Sequence, residues 1–267
     1  MQTAMQTAMQ TTTSMDSSSS VHHNMSEQEW QMRVNLAACY RMIASYGWDD
    51  LVFTHISARV PGTEDEFLIN PYGMLFEEIT ASSLVKVNKA GEKVSPSEFD
   101  VNPAGFIIHS AVHEARDDAH CVIHLHTNDG VAVSAQEKGL LPISQQSLFP
   151  LSNLAYHDYE GVALNPEEKV RLVADLGDAH FMILRNHGLL TCADTVANAF
   201  LYMYIMQRAC EIQIKAQSGG GILTPIPAQI LAGIQAASEQ VTRGANGDIA
   251  WPALLRKLRR TDPSFEE

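Results

Sequence analysis

Cys121-Val122-Ile123-His124-Leu125-His126 is a short apolar run that ends in two histidines one residue apart. Read as a strand, it sends alternate side chains to opposite faces, so Val122, His124 and His126 share one face while Ile123 and Leu125 pack on the other. Two imidazoles side by side on a buried strand are costly unless each is hydrogen-bonded or both hold a metal. A second apolar strand, Phe181-Met182-Ile183-Leu184, runs into Arg185-Asn186-His187-Gly188. Loops at strand ends are where α/β proteins place ligands, so His187 is either a third ligand or a ring that caps the loop backbone. Three neutral imidazoles on a divalent ion leave its charge uncompensated and a position open. That is a Lewis-acid arrangement suited to stabilising an enolate when a carbon–carbon bond beside a carbonyl is made or broken.

Outward from these strands, the chain alternates helix and strand signals, which indicates an α/β layered domain. Ser26-Glu27-Gln28-Glu29 has capping-box spacing and opens a helix that ends at Gly47. Strands are expected over Leu51–Val60, Phe67–Asn70 and Leu84–Asn88, separated by turns at Pro61-Gly62 and Pro71-Tyr72-Gly73. Asn102-Pro103 and Asn165-Pro166 each pair an N-cap with proline at the first helical position; they start helices reaching Arg116 and Leu176. Further helices are expected from Asp129 to Lys138 and, capped by Asp194, to Ala216. Residues 1–25 are a Met-Gln-Thr near-repeat with a serine run, without the basic and apolar regions of a signal peptide, and are expected to be disordered. Residues 26–217 form the expected domain. Residues 218–267 follow a Ser-Gly-Gly-Gly break as an extension ending in an amphipathic helix whose Arg/Lys face is either solvated or meets an anion or acidic partner.

The chain has 267 residues with 18 Lys+Arg, 31 Asp+Glu and a net charge of −13. That balance argues against nucleic acid, which needs clustered cations along the phosphate lattice. No apolar run reaches the roughly 20 residues of a membrane span. Cys39, Cys121, Cys192 and Cys210 are far apart without C-x-x-C, so reduced thiols in a cytoplasmic protein are expected. His109 and His113, spaced i, i+4, share a helix face as either an acid/base pair or a supporting one; they lack the H-E-x-x-H pattern. His55, Ser57 and Arg59 share a strand face that either binds an anionic group or is an exposed polar face.

From about Glu27 to Gln217 the sequence resembles the class II aldolase/adducin family, in particular its bacterial adducin-like branch. The likeness is carried by Gly47-Trp48-Asp49-Asp50, His55-Ile56-Ser57-Ala58-Arg59, Phe67-Leu68-Ile69-Asn70-Pro71-Tyr72-Gly73, Val101-Asn102-Pro103-Ala104-Gly105-Phe106, the H-x-H strand, Tyr156-His157-Asp158-Tyr159-Glu160-Gly161 and Asn186-His187-Gly188. The resemblance implies a three-layer α/β/α sandwich with a mostly antiparallel sheet, a homotetramer, and a divalent metal, Zn2+ before Mn2+ or Fe2+, on His124, His126 and His187. It also implies a small-molecule substrate. Tyr72, His109, Tyr156 and His157 become the candidates for proton transfer, and His55, Ser57, Arg59, Gly73 and Gln145 those for substrate binding.

One departure limits the analogy. Sugar-phosphate aldolases of this family place a glutamate after two serines where this chain has Pro103-Ala104-Gly105, and Glu98 is not equivalent by spacing. A glycine cannot transfer a proton. The expected function is therefore a metal-dependent lyase, by aldol cleavage or decarboxylation, on a small non-phosphorylated carbonyl or carboxylate compound. The alternative is an adducin-like binding or scaffold protein. Animal adducins act on the cytoskeleton through a long tail with a lysine-rich end, and a chain stopping at Glu267 is expected to be an enzyme or a small-molecule binder rather than a cytoskeletal protein.

Overall fold

The computed structural model describes residues 25–161, 166–234, 236 and 246–267. The low-complexity segment up to residue 24 and the expected Asn165 cap lie outside the described residues. Helix α1 (Glu27–Ser45) begins where Ser26 Oγ accepts from the Glu29 amide at 3.1 Å, and the chain turns out of it at Gly47, φ +66°. Leu36, Ala37, Tyr40 and Ile43 form its fully buried face.

The strands β1 (His55–Arg59), β2 (Glu66–Ile69), β3 (Val85–Asn88), β4 (Cys121–Leu125), β5 (Leu154–His157), β6 (Phe181–Leu184) and β7 (Gly188–Ala193) form one sheet. Their spatial order is β3-β2-β1-β4-β7-β6-β5. Every neighbouring pair is antiparallel except β5 with β6. The connecting helices are α2 (Pro103–Ala115), α3 (Asn128–Ser134), α4 (Gln145–Leu151), α5 (Pro166–Leu176) and α6 (Val196–Ser218), followed by α7 (Ala228–Ala232) and α8 (Trp251–Thr261).

The pleat sorts the core into two layers around the sheet. Ile56, Ala58, Ile123, Leu125, Ile183 and Leu189 join the larger apolar cluster with α1 and α6. Val122, Met182, Leu184, Leu190 and Cys192 meet Ile108 and Val112 of α2 and Leu172 and Leu176 of α5 on the other face. The protein is thus an α/β/α sandwich with a mostly antiparallel seven-stranded sheet. The β4 alternation follows the H-x-H reading: apolar neighbours face α1 and α6, and the histidine face turns toward α2 and α5.

Several boundaries differ from the sequence expectation. The strand expected from Leu51 starts only at His55, because the Phe53 amide closes a turn onto Asp50 O at 2.9 Å and Leu51 takes φ +51°. The side chains of Leu51 and Phe53 are left exposed. Thr195, not Asp194, caps α6: its Oγ1 accepts from the Asn198 amide, while Asp194 Oδ1 accepts from the Asn198 side chain. Helix α3 is capped by Thr127 and stops at Ser134, short of Lys138. Strands β5 and β7 and helix α4 were not expected. β7 is buried along its whole length, so it shows no alternation to read.

The four cysteines are free and buried. The C-terminal segment docks on α1: Trp251 and Leu258 enter the main cluster, and Arg41 pairs with Asp262 at 2.7 Å. Arg256, Lys257, Arg259 and Arg260 stay exposed. No helix among the described residues is long and apolar enough to cross a membrane.

Candidate metal centre

Strand β4 delivers His124 and, one residue beyond its end, His126; the β6–β7 turn delivers His187. The turn can approach because Gly188 has no side chain: a Cβ there would lie 2.4 Å from Leu125 O. Asn186 takes the left-handed φ of +55° that reverses the chain just before His187. The three Nε2 atoms converge, 2.9 Å apart for His124–His126, 2.9 Å for His126–His187 and 3.3 Å for His124–His187.

The outer nitrogens fix the tautomers. His124 Nδ1–H donates to Leu189 O at 3.0 Å, and His126 Nδ1–H donates to Asp50 Oδ2 at 3.0 Å. A carbonyl and a carboxylate can only accept, so each ring has placed its proton on Nδ1 and presents a lone pair at Nε2. Burial, with the neighbouring His187 and His126 rings, holds His124 well below the usual histidine range. Burial and His126 bring His187 down to about 4. Neutral lone pairs this close repel one another unless a cation stands among them. This donor set fits a divalent metal that favours imidazole nitrogen and leaves a position free.

A second group of histidines lies in the interior between β1 and α2. Antiparallel register sets His55 opposite His124, and the His55 ring stands 5.8 Å from that of His124 and 4.4 Å from that of His109. His113 Nδ1–H donates to Ala119 O at 2.6 Å, so His113 Nε2 accepts from Ser57 Oγ–H, and Ser57 Oγ in turn accepts from His109 Nδ1–H, both at 2.7 Å. All four side chains are buried. Burial takes His55 to about 4 and His113 to about 3, and His109 well below its ordinary value. The His55-Ser57-Arg59 face is therefore covered by α2 rather than open to an anion. Arg59 donates to Glu64 O and His113 O, both at 2.6 Å.

Gly105 lies against this group. A Cβ at that position would fall 2.4 Å from His55 Cε1 and 2.7 Å from its Nδ1. The histidine ring on β1 thus fills the space a side chain at 105 would need.

The remaining sequence candidates are dispersed. His157, buried on the α5 face of the sheet, gives its Nδ1–H to Asp175 Oδ2 at 2.7 Å and shares a cavity with His187. Tyr156 points to the opposite face, accepts from the Leu140 amide at 3.1 Å and carries Arg185 over its ring. Tyr72 is exposed on the turn after β2, with Gly73 at φ +95°. Gln145, the first residue of α4, and Glu98 are exposed. Sequence reasoning missed Asp50, Glu168 and Asp175 as partners of the histidines. No spacing rule joins Asp50 to His126, 76 positions away.

Residues 34–214 match the family model for the class II aldolase and adducin N-terminal domain. The chain belongs to that family. It is 61% identical over 250 residues to a Pseudomonas aeruginosa protein whose name assigns it to aldolase class 2, covering 92% of this chain and 96% of that protein. It is 46% identical over 193 residues to mouse alpha-adducin, covering 71% of this chain but 26% of adducin. Among solved structures, an aldolase II superfamily protein from Pseudomonas syringae aligns with TM-score 0.89 and 48% identity, over 93% of this chain and 100% of that one. The L-fuculose 1-phosphate aldolase of Glaciozyma antarctica aligns with TM-score 0.75 and 26% identity, over 87% and 91%.

Proposed function

We propose that the protein is a zinc-dependent carbon–carbon lyase that acts, by aldol cleavage or decarboxylation, on a small non-phosphorylated carbonyl or carboxylate compound. The observation that carries this reading is the convergence of the three Nε2 atoms, with the Nδ1 proton of His124 already spent on Leu189 O and that of His126 on Asp50. A divalent ion held by His124, His126 and His187 would supply Lewis acidity, polarising a carbonyl and stabilising the charge that develops when the adjacent bond breaks. His157 is the proton-transfer residue in this reading, because it shares a cavity with His187 and is held in one tautomer by Asp175. His109 is a positioning residue, sealed behind His55. Gly105, filled by the His55 ring, and Arg59 and Arg185, which donate to backbone carbonyls, leave little at the site to grip a phosphate. The resemblance supports a homotetramer, and buried free thiols are in keeping with the cytoplasm.

The second reading, a binding or scaffold role, is favoured by the 46% identity to alpha-adducin. Metal analysis of the reconstituted wild type beside His124→Ala and His187→Ala, followed by a carbonyl and carboxylate substrate screen, separates the two. One equivalent of zinc in wild type alone, with turnover, is the expected result. No bound metal overturns the lyase; bound metal without aldol or decarboxylase turnover supports the adducin-like role.

A further inference from the structure

Two of the three converging rings are oriented through their outer nitrogens, His124 by Leu189 O and His126 by Asp50. For His187 the described residues provide no such acceptor, and only its Nε2 is engaged, toward the other two rings. The placement of that ring therefore falls to the backbone of the β6–β7 turn. The turn is strained: Asn186 sits at φ +55°, a conformation that a residue other than glycine keeps when its surroundings hold it there.

Arg185 supplies the hold. Its guanidinium donates from Nη1 to Gln136 O at 2.8 Å and lies over the Tyr156 ring, 4.2 Å from the centroid. Its amide donates to His157 O at 2.8 Å, and the Asn186 amide donates to Ser134 O at 3.3 Å. The turn is thus fastened to β5 and to the connection between α3 and α4. A planar guanidinium can stack on an aromatic face and donate along its edge at the same time, which an ammonium cannot do.

The surface that Arg185 grips is itself anchored. Gln213 of α6 is fully buried; its Nε2 donates to Gly139 O at 2.9 Å and to Gln136 Oε1 at 2.8 Å, and its Oε1 accepts from the Leu141 amide at 2.7 Å. Tyr156 accepts from the Leu140 amide at 3.1 Å. Gly139 takes φ +60°, and a Cβ there would fall 2.5 Å from the Tyr156 ring, so the connection closes on that ring only because residue 139 has no side chain. A buried, fully bonded amide makes a stiff support, and α6 lends the connection its rigidity.

We propose that Arg185 is a positioning residue of the metal centre: stacked on Tyr156 and bonded to Gln136 O, it latches the β6–β7 turn to the connection that α6 anchors, and so places His187 through the backbone. The proposal rests on the metal-centre reading. It gives Tyr156 a part other than the proton transfer expected of it, as the face on which the guanidinium lies.

The test uses the full chain with zinc and with cobalt. Arg185→Ala should lower zinc affinity by about tenfold or more, the scale of losing an outer partner of a metal ligand, as read by competition with a chromophoric chelator. It should also change the visible spectrum of the cobalt-loaded protein, which reports ligand geometry. Arg185→Lys, which keeps the cation over the ring, should recover part of the loss. Tyr156→Phe, which keeps the face, should bind zinc within about threefold of wild type, whereas Tyr156→Ala should approach Arg185→Ala. The double alanine variant should lose no more than about twofold beyond the larger single loss, because the two residues act as one contact. Arg116 is the control: it donates to Gly177 O and Ala179 O at the other end of β6. Arg116→Ala should lower the melting temperature of the metal-free protein but leave zinc affinity within about threefold and the cobalt spectrum unchanged.

The proposal is overturned if Arg185→Ala binds zinc as wild type does with an unaltered cobalt spectrum. It is equally overturned if Arg116→Ala weakens zinc as much, since the loss would then report general loosening. Should Arg185→Ala fail to fold, Tyr156→Ala and Arg185→Lys decide it, and wild-type zinc affinity in both overturns the latch. A wild type that binds no zinc overturns the metal reading and this proposal together; zinc binding indifferent to Arg185 and Tyr156 overturns this one alone.

Discussion

The molecule holds two sets of three histidines within one layer, and they are wired in opposite ways. In the first set, His124, His126 and His187 turn Nε2 inward to one point, with Nδ1 of His124 and His126 turned outward to Leu189 O and Asp50. In the second, His109 and His113 are joined through Ser57 in a directed chain of donors and acceptors that ends on Ala119 O, with the His55 ring tilted against that of His109. Convergent lone pairs demand a cation; a donor–acceptor chain satisfies most of its own needs and serves packing. The lesson is that residue type does not separate a ligand from a structural histidine. What separates them is where the second ring nitrogen spends its proton.

Four measurements sharpen or break this contrast. The largest effect is expected from removing a converging ring. His124→Ala or His187→Ala should lower zinc affinity by about 10³-fold, on the scale of structural zinc binding shared over its ligands. His113→Ala should instead leave zinc affinity within about threefold and cost about 3 kcal/mol of stability, by a cavity and unmet polar groups. Competition with a chromophoric chelator and denaturant melts read the two sides. Loss of zinc binding in His113→Ala would erase the distinction.

Next comes pH. Folded pKa values of about 4 for His55 and about 3 for His113 lie below the unfolded value near 6.5, so the unfolded chain binds more protons between them. Their stabilisation is full above pH 6.5 and is lost as pH falls toward the folded values. By pH 5 each buried ring should have lost about 2 kcal/mol, measurable by guanidinium melts in the presence of chelator. A flat profile from pH 7 to 5 would mean the second set is not held neutral by burial.

Smaller effects probe the supports. Asp50→Ala should weaken zinc binding by about 10- to 100-fold with the fold intact, as expected when the carboxylate that orients a ligating ring is lost. An unchanged affinity would show that His126 orients itself. Gly105→Ala should cost about 1–2 kcal/mol by driving a methyl into the His55 ring, and that cost should vanish in a His55→Ala background. Additive losses in the double variant would deny the contact.

Much of the fold was legible because alternation and capping are local. Val122 to Leu125 and Phe181 to Leu184 read correctly as strands, and Ser26 as a cap, since strand pleat and helix ends are set by residues a few positions apart. β7 was not legible because burial on both faces removes the period. The start of β1 was misplaced because Leu51 and Phe53, apolar and β-like, lie in an exposed turn that a tertiary contact, Asp50 to His126, holds in place. The convergence of His124, His126 and His187 could be expected from the strand pattern joined to the family resemblance. The Ser57 chain between His109 and His113 could not, since β1 meets α2 only through the folding of the sheet.

The sequence by itself determined the layered α/β class, the presentation of His124 and His126 on one strand face and the absence of a carboxylate at Gly105, all consequences of local geometry and side-chain chemistry. Only the tertiary structure decided which nitrogens converge, that the His55 ring takes the space above Gly105, and that His157, Asp175 and Glu168 meet beside His187. Those outcomes depend on strand register and on helices packed across the sheet. Register joins residues dozens of positions apart, so no local spacing can encode it.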